Sequence, residues 1–268
     1  MDNSCFIEAA AACLDNGKRL LKDAEMVDFG VSPSTSLFLA TIAQEEFAKG
    51  FLLLLLSREV IPWSSLIFRA TRDHTCKQLL GIIMDHVRPD TDEFIRRIDE
   101  RRTKNEQASR LLNELRESKT PEEKEKIWDK IDKINESLEL LPSTVADAIN
   151  IFRHEKIGRW ESSSWFWGEE PNYDAVAKDV ADGRVDREKQ DAVYVRIDKD
   201  GNVKRRPHAL APEIAERARE RAERMGRLVE DLLSGDAGLH LDYEKIESAF
   251  KAVFATLSPQ TKTESEST

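Results

Sequence analysis

The sequence predicts an all-α fold with a charged helical-hairpin arm and one small β-hairpin. Charged residues fill 34% of the 268 positions and aromatics only 7%, a balance rich in helix formers and poor in strand formers. Apolar residues recur at helical spacing along most of the chain. Convincing period-two alternation occurs once, at Val193, Val195 and Ile197, ahead of Asp200–Gly201, a pair suited to a two-residue hairpin turn.

Taken in order, residues 3–29 read as a first helix, with Phe6, Ala10, Cys13, Leu14, Leu20, Leu21, Ala24 and Val27 on its apolar side, Gly17 a weak point and Gly30 a stop. Ser32 is a cap and Pro33 a first helical residue for a second helix over 33–59, whose leucine run places it at the centre of the core. A third helix is expected from Ser64 to Val87, completing a core unit over 1–89. Residues 90–142 then form the arm. Thr120, Pro121 and Glu123 carry the capping box of its second helix, and Ile127, Ile131, Ile134, Leu138 and Leu141 alternate at the spacing of a coiled-coil seam.

The remaining bundle helices span 143–257, with the β-hairpin near 192–206. A helix is expected from Ser143 to Trp167. It contains Trp160, Trp165, Phe166 and Trp167, which suit either a core or an aromatic platform for a base or a partner helix. A long helix begins at Pro212 and a short one covers 243–257; residues 258–268 have the composition of a disordered tail.

A net charge of -10 argues against a general nucleic-acid surface and leaves room for a local basic cleft. Cys5, Cys13 and Cys76 are odd in number and form no CxxC pair, the pattern of reduced thiols in a cytoplasmic protein. The first residues lack the basic start of a signal peptide. The apolar stretch Ser36–Ser57 carries Glu45, Glu46 and Lys49 at its middle. Each central charge costs roughly 2.5–3.5 kcal/mol in a bilayer and each Leu or Phe returns about 0.3–0.6, so no membrane span is expected.

Those three charges need another explanation. Thr41, Glu45 and Lys49 are four apart, so they share a face with Glu46 beside them, and Glu45 and Lys49 have the orientation of an intrahelical ion pair. Either this is a solvated face or it is a polar band bordering a site. The next helix supplies matching chemistry in "FRATRDHTCK". A His accepts the proton of a ribose 2′-hydroxyl, and a neighbouring Arg holds the phosphate. Arg69 and His74 form an R-x4-H pair, with Arg72 a second candidate partner and Asp73 and Lys77 beside them. On one ideal helix Arg69 and His74 would diverge by roughly 140°, so convergence requires a bend, Arg72, or a second subunit. Taken in isolation, His74 also suits a structural role. The five His are scattered, with no ligand pair at metal spacing with Cys, and there is no P-loop or GxGxxG. No metal and no cofactor are expected.

The blocks "AAACLDNGKRLLKDAEMV", "ATIAQEEFAKGFLLLL", "RDHTCKQ" and "KQDAVYVRIDKDGNVKRRP" occur in that order between Ala9 and Pro207. Their succession resembles the AbiV family of bacterial abortive-infection proteins, within the HEPN superfamily. The resemblance implies an antiparallel helical bundle that pairs as a homodimer, with R-x4–6-H motifs meeting at the interface for metal-independent RNA cleavage. It makes His74 the base and Arg69 the phosphate ligand. Asp73 and Lys77 would orient His74 or the RNA backbone, and Glu45 and Lys49 would lie beneath the cleft. Lys204, Arg205 and Arg206 are candidate RNA-backbone contacts. One departure is Ala70, where many ribonuclease members carry a polar residue. Many HEPN relatives are non-catalytic, so the alternative is a module that sequesters a phage protein, a translation component or a nucleotide. A plain helical scaffold dimerising through the arm is the third reading.

Overall fold

A computed structural model describes residues 2–28, 32–161, 172–205, 211–236, 238, 240 and 242–255. Helix α1 (Asn3–Asp28) and helix α2 (Pro33–Ser57) form the first pair. Ser32 caps α2, its hydroxyl accepting from the Thr35 N–H at 3.2 Å, with Pro33 in the first turn. The two helices run antiparallel, since Asn3 at the start of α1 donates to Glu59 just past the end of α2. Helix α11 (Pro212–Ser234) lies parallel to α2: Ser36 meets Arg219, Gln44 meets Ala218 and Arg221, and Arg58 reaches the Leu232 carbonyl.

Phe47, Phe51, Leu52 and Leu55 of α2 are completely buried, as expected for a helix that is apolar all round. Phe47 seats between two glycines. A Cβ on Gly17 of α1 would lie 2.3 Å from its ring, and one on Gly226 of α11 would lie 3.0 Å from it. Gly17, read in the sequence as a weak point of its helix, is the notch that admits Phe47.

The single helix expected from Ser64 to Val87 is two. Helix α3 (Ser65–Ala70) is capped by Ser64, and helix α4 (His74–Val87) is capped by Asp73, whose carboxylate accepts from the Cys76 N–H at 2.8 Å. Asp73 takes an extended backbone conformation to do so, and the chain bends across Thr71–Asp73. Arg69 and His74 therefore sit on different helices, and the divergence expected on one continuous helix does not apply.

Helix α5 (Thr91–Glu117) and helix α6 (Pro121–Glu139) make up a separate compact unit spanning Pro89–Pro142. The Thr120 hydroxyl accepts from the Glu123 N–H at 3.3 Å, and the Glu123 carboxylate accepts from the Thr120 backbone, closing the capping box. Ile131 is buried within this unit, while Ile127, Ile134, Leu138 and Leu141 are half-buried along the same seam.

In the main unit the chain continues as α7 (Ser143–Asn150), a π-helical segment (Ile151–Gly158) and the single turn α8 (Arg159–Glu161). The straight helix expected to Trp167 is thus widened at its middle, and Trp165, Phe166 and Trp167 lie outside the described residues, as do Gly30 and the tail. Two short helices follow in a stretch dominated by charged residues, α9 (Ala175–Ala181) and α10 (Arg184–Asp191). Gly183 starts α10 with φ +72°, a left-handed conformation that suits glycine.

Strands β1 (Arg196–Ile197) and β2 (Val203–Arg205) pair antiparallel. Their connection is longer than the two-residue turn expected. The Asp198 carboxylate accepts from the backbone N–H groups of Asp200 and Asn202 at 2.9 and 2.8 Å, and Gly201 takes φ +84°. Helix α12 (Tyr243–Ala255) closes the described chain, with Phe250 packed edge-on against Phe152 of the π-helical segment. Among the described residues no helix is long and apolar enough to cross a membrane.

Candidate functional site

Glu45 lies in the middle of α2. Its carboxylate is 3% exposed and is ringed by cationic or protonatable groups from two other helices. From α4, His74 brings Nδ1 to 2.6 Å of Oε2, and Lys77 brings Nζ to 2.9 Å of the same oxygen. From α10, Lys189 brings Nζ to 2.8 Å of Oε1 and to 2.7 Å of Asp186 Oδ1. The spacing is what helix geometry dictates: His74 and Lys77 are three apart and share a face of α4, as Asp186 and Lys189 do on α10.

Burial alone would push the Glu45 carboxyl above its ordinary value. The hydrogen bonds from Lys189 and Lys77 outweigh it, and its pKa is lowered. Lys189 responds in the opposite sense. Its desolvation works against the ammonium, yet Asp186 and Glu45 overcome that and raise its pKa. The site therefore holds a carboxylate and an ammonium, both charged, in a region where a lone charge would be costly.

His74 differs from its partners in one respect. Half of its side chain is exposed, 51% against 3% for Glu45. Because an ionised carboxylate can only accept, Nδ1–H donates to Glu45, and in the neutral imidazole Nε2 is then the acceptor. The arrangement is a buried acid that orients a half-exposed imidazole, which can take a proton at Nε2 from a group brought to it.

The remaining sequence candidates are distributed differently. The Arg69 guanidinium lies over the Trp160 ring, 4.3 Å from the centroid. Trp160 is held there by α8, whose Glu161 accepts from the buried Arg153 of the π-helical segment at 3.0 Å. Arg72 is exposed at the bend, two residues before His74. Asp73 serves as the cap of α4. Lys49 does not pair with Glu45; its Nζ contacts both oxygens of Glu46 at 2.8 Å and the Cys13 thiol of α1. The polar stripe is therefore two clusters on different sides of α2. Glu45 faces α4 and α10, and Glu46 with Lys49 faces α1. Lys204 is exposed on β2, Arg205 pairs through its backbone with Arg196, and Arg206 lies outside the described residues.

Lys189 and Asp186 were not among the sequence candidates. The signal for Lys189 was present, since it opens the block "KQDAVYV". Nothing in the local pattern connects it to a carboxylate 144 residues earlier. Glu45, His74 and Asp186 bring ligand atoms within 4.8 Å of one another, a spacing that a divalent cation would tolerate. Here the Lys189 ammonium lies between the two carboxylates, and Lys77 adds a second positive charge. The cluster is thus electrostatically compensated by the chain's own cations, and the donor set does not fit a resident metal.

The AbiV family model matches residues 6–227, a span that includes every member of this cluster. No curated protein and no solved structure matches the chain. By the extent of that family match, the chain belongs to the AbiV family of the HEPN superfamily.

Proposed function

We propose that this protein is an abortive-infection endoribonuclease of the HEPN type that works without a metal, with His74 as general base. The observation that carries the reading is the 2.6 Å hydrogen bond between a buried Glu45 and a half-exposed His74. Nε2 would take the proton of a ribose 2′-hydroxyl, and O2′ would attack the adjacent phosphorus as the P–O5′ bond breaks, leaving a 2′,3′-cyclic phosphate on one fragment and, once the departing 5′-oxygen has taken a proton from the imidazolium or from water, a 5′-hydroxyl on the other. Arg72, exposed beside His74, would receive the phosphate charge. Arg69 would join it on leaving Trp160 or on pairing of two copies, and the homodimer is part of the proposal. Lys204, with Arg205 and Arg206 next to it in sequence, would contact the RNA backbone.

The engagement of Arg69 by Trp160 favours a second reading, in which the same surface binds a phage protein, a translation component or a nucleotide without cleaving anything. One experiment separates the two. Defined RNAs incubated with the protein in EDTA should yield cyclic-phosphate ends with the wild type and none with His74→Ala. Binding without cleavage by the wild type would favour sequestration, and cleavage that survives His74→Ala would place the chemistry elsewhere.

A further inference from the structure

The two oxygens of Glu45 are not equivalent. Oε2 is shared by His74 at 2.6 Å and Lys77 at 2.9 Å, both approaching from α4. Oε1 is held by Lys189, from α10. With Oε1 released, the carboxylate could rotate and satisfy Lys77 through either oxygen, and nothing from α4 would then compel one of them to face His74. Lys189 is itself fixed. Its side chain is 5% exposed, Asp186 anchors it at 2.7 Å, and its Nζ stands 3.4 Å from His74 Nδ1. The two carboxylate contacts, at 2.8 and 2.7 Å, are much shorter than the 3.4 Å to Nδ1, so the ammonium is held chiefly by Glu45 and Asp186.

We propose that Lys189 is a positioning residue, a built-in cation that aims the Glu45 carboxylate and thereby keeps the His74 proton on Nδ1 and Nε2 free. The inference rests on the reading of His74 as the base, and it adds a residue outside α2 and α4 to that machinery. Lys189 is too deeply buried to touch an RNA. Its action passes through Glu45, and α10 exists at this place in the fold to deliver it. Asp186 has the subsidiary task of holding the lysine when Glu45 alone would leave it free to swing.

The test reads the tautomer of His74 directly, by nitrogen chemical shifts in the free protein with labelled histidine, the His74 signals being assigned by their loss in His74→Ala. The wild type should show the Nδ1–H form. Lys189→Met should lower the ratio of Nδ1–H to Nε2–H by about tenfold or more, the scale of one charge-assisted hydrogen bond, and Lys189→Arg should restore most of it. If Lys189→Met does not fold, Asp186→Asn at the half-buried anchor decides the question, a fall in the ratio supporting the proposal and an unchanged ratio overturning it. An unchanged ratio in a folded Lys189→Met overturns it equally. No RNA enters this measurement. A protein that cleaves no RNA would remove the ribonuclease reading and leave the tautomer result standing, whereas cleavage dependent on His74 with an unmoved tautomer would remove Lys189 alone.

Discussion

Glu45 and His74 are 29 residues apart in the chain and 2.6 Å apart at Oε2 and Nδ1. The acid is buried and the imidazole is half-exposed, so the pair joins the core of the bundle to its surface. Two lysines make the acid tolerable in the core, and the break between α3 and α4 makes the imidazole reachable. Each part of that arrangement has a consequence that can be measured.

Removing the acid strands the bases. Glu45→Ala leaves Lys77 and Lys189, both less than a tenth exposed, without their shared counter-charge. Breaking a buried ion pair from one side costs about 3–5 kcal/mol. The urea midpoint of Glu45→Ala should fall accordingly, and the triple variant Glu45→Leu, Lys77→Met, Lys189→Met should recover much of the loss because the half-buried Asp186 is then the one member of the cluster left charged. A Glu45→Ala variant as stable as the wild type would mean that the lysines reach water freely.

Acid should act through the same carboxylate. Because the folded-state pKa of Glu45 is lowered from 4.5, its stabilising contribution is fully present above that value and is lost as pH falls through the lower folded-state value. Lys189 has the opposite sign. Its raised pKa gives a contribution present below 10.5 and lost as pH climbs through the higher folded value. Chemical denaturation followed downward from pH 4.5 should therefore show a steeper loss for the wild type than for Glu45→Gln.

Gly17 sits against the Phe47 ring too closely for any Cβ, 2.3 Å to Cε1. Alanine is the better helix former by about 0.8–1.0 kcal/mol, yet overpacking of a filled core costs typically 1–3 kcal/mol. The packing term wins, and Gly17→Ala should lower stability. Gly17→Ala combined with Phe47→Leu should be less destabilised than the sum of the two changes.

The three thiols should separate by accessibility. Cys5 is exposed, and Cys13 and Cys76 are buried. Burial pushes both buried thiols upward, Cys76 furthest, where Asp73 adds to it. Titration of the native protein with a thiol reagent at neutral pH should find one fast cysteine, lost in Cys5→Ser, with the other two appearing on denaturation.

Much of the fold could be read from the chain because its punctuation is local. Ser32–Pro33, Thr120–Pro121 and Pro212 mark helix starts through their own backbone chemistry, and the leucine run of α2 has no exposed face to offer. The bend before His74 was equally local, since Asp73 is a good cap, but the apolar periodicity runs through it and masked the break. Helices α9 and α10 were missed because their stretch is dominated by charge and each is short. The site was half legible. A helical repeat shows neighbours three and four apart, so Glu45 was paired with Lys49 by its spacing, whereas its real partners arrive from α4 and α10. Glu46 takes Lys49 because it lies three positions away on the side facing α1. Lys189 could be identified as a partner of Glu45 only once the bundle had brought the helices together.

The central claim is that Glu45 and His74 act as one unit, and a cycle of cleavage rates tests it most directly. Rates on one defined RNA in EDTA would be measured for the wild type, Glu45→Gln, His74→Ala and the double variant. General acid–base catalysis by a positioned side chain contributes about 10²–10⁴-fold, so His74→Ala should lose at least that much. Glu45→Gln should lose a large part of it, and the double variant should be no slower than His74→Ala alone. A Glu45→Gln variant that cleaves at the wild-type rate, or losses that simply multiply in the double variant, would contradict the account.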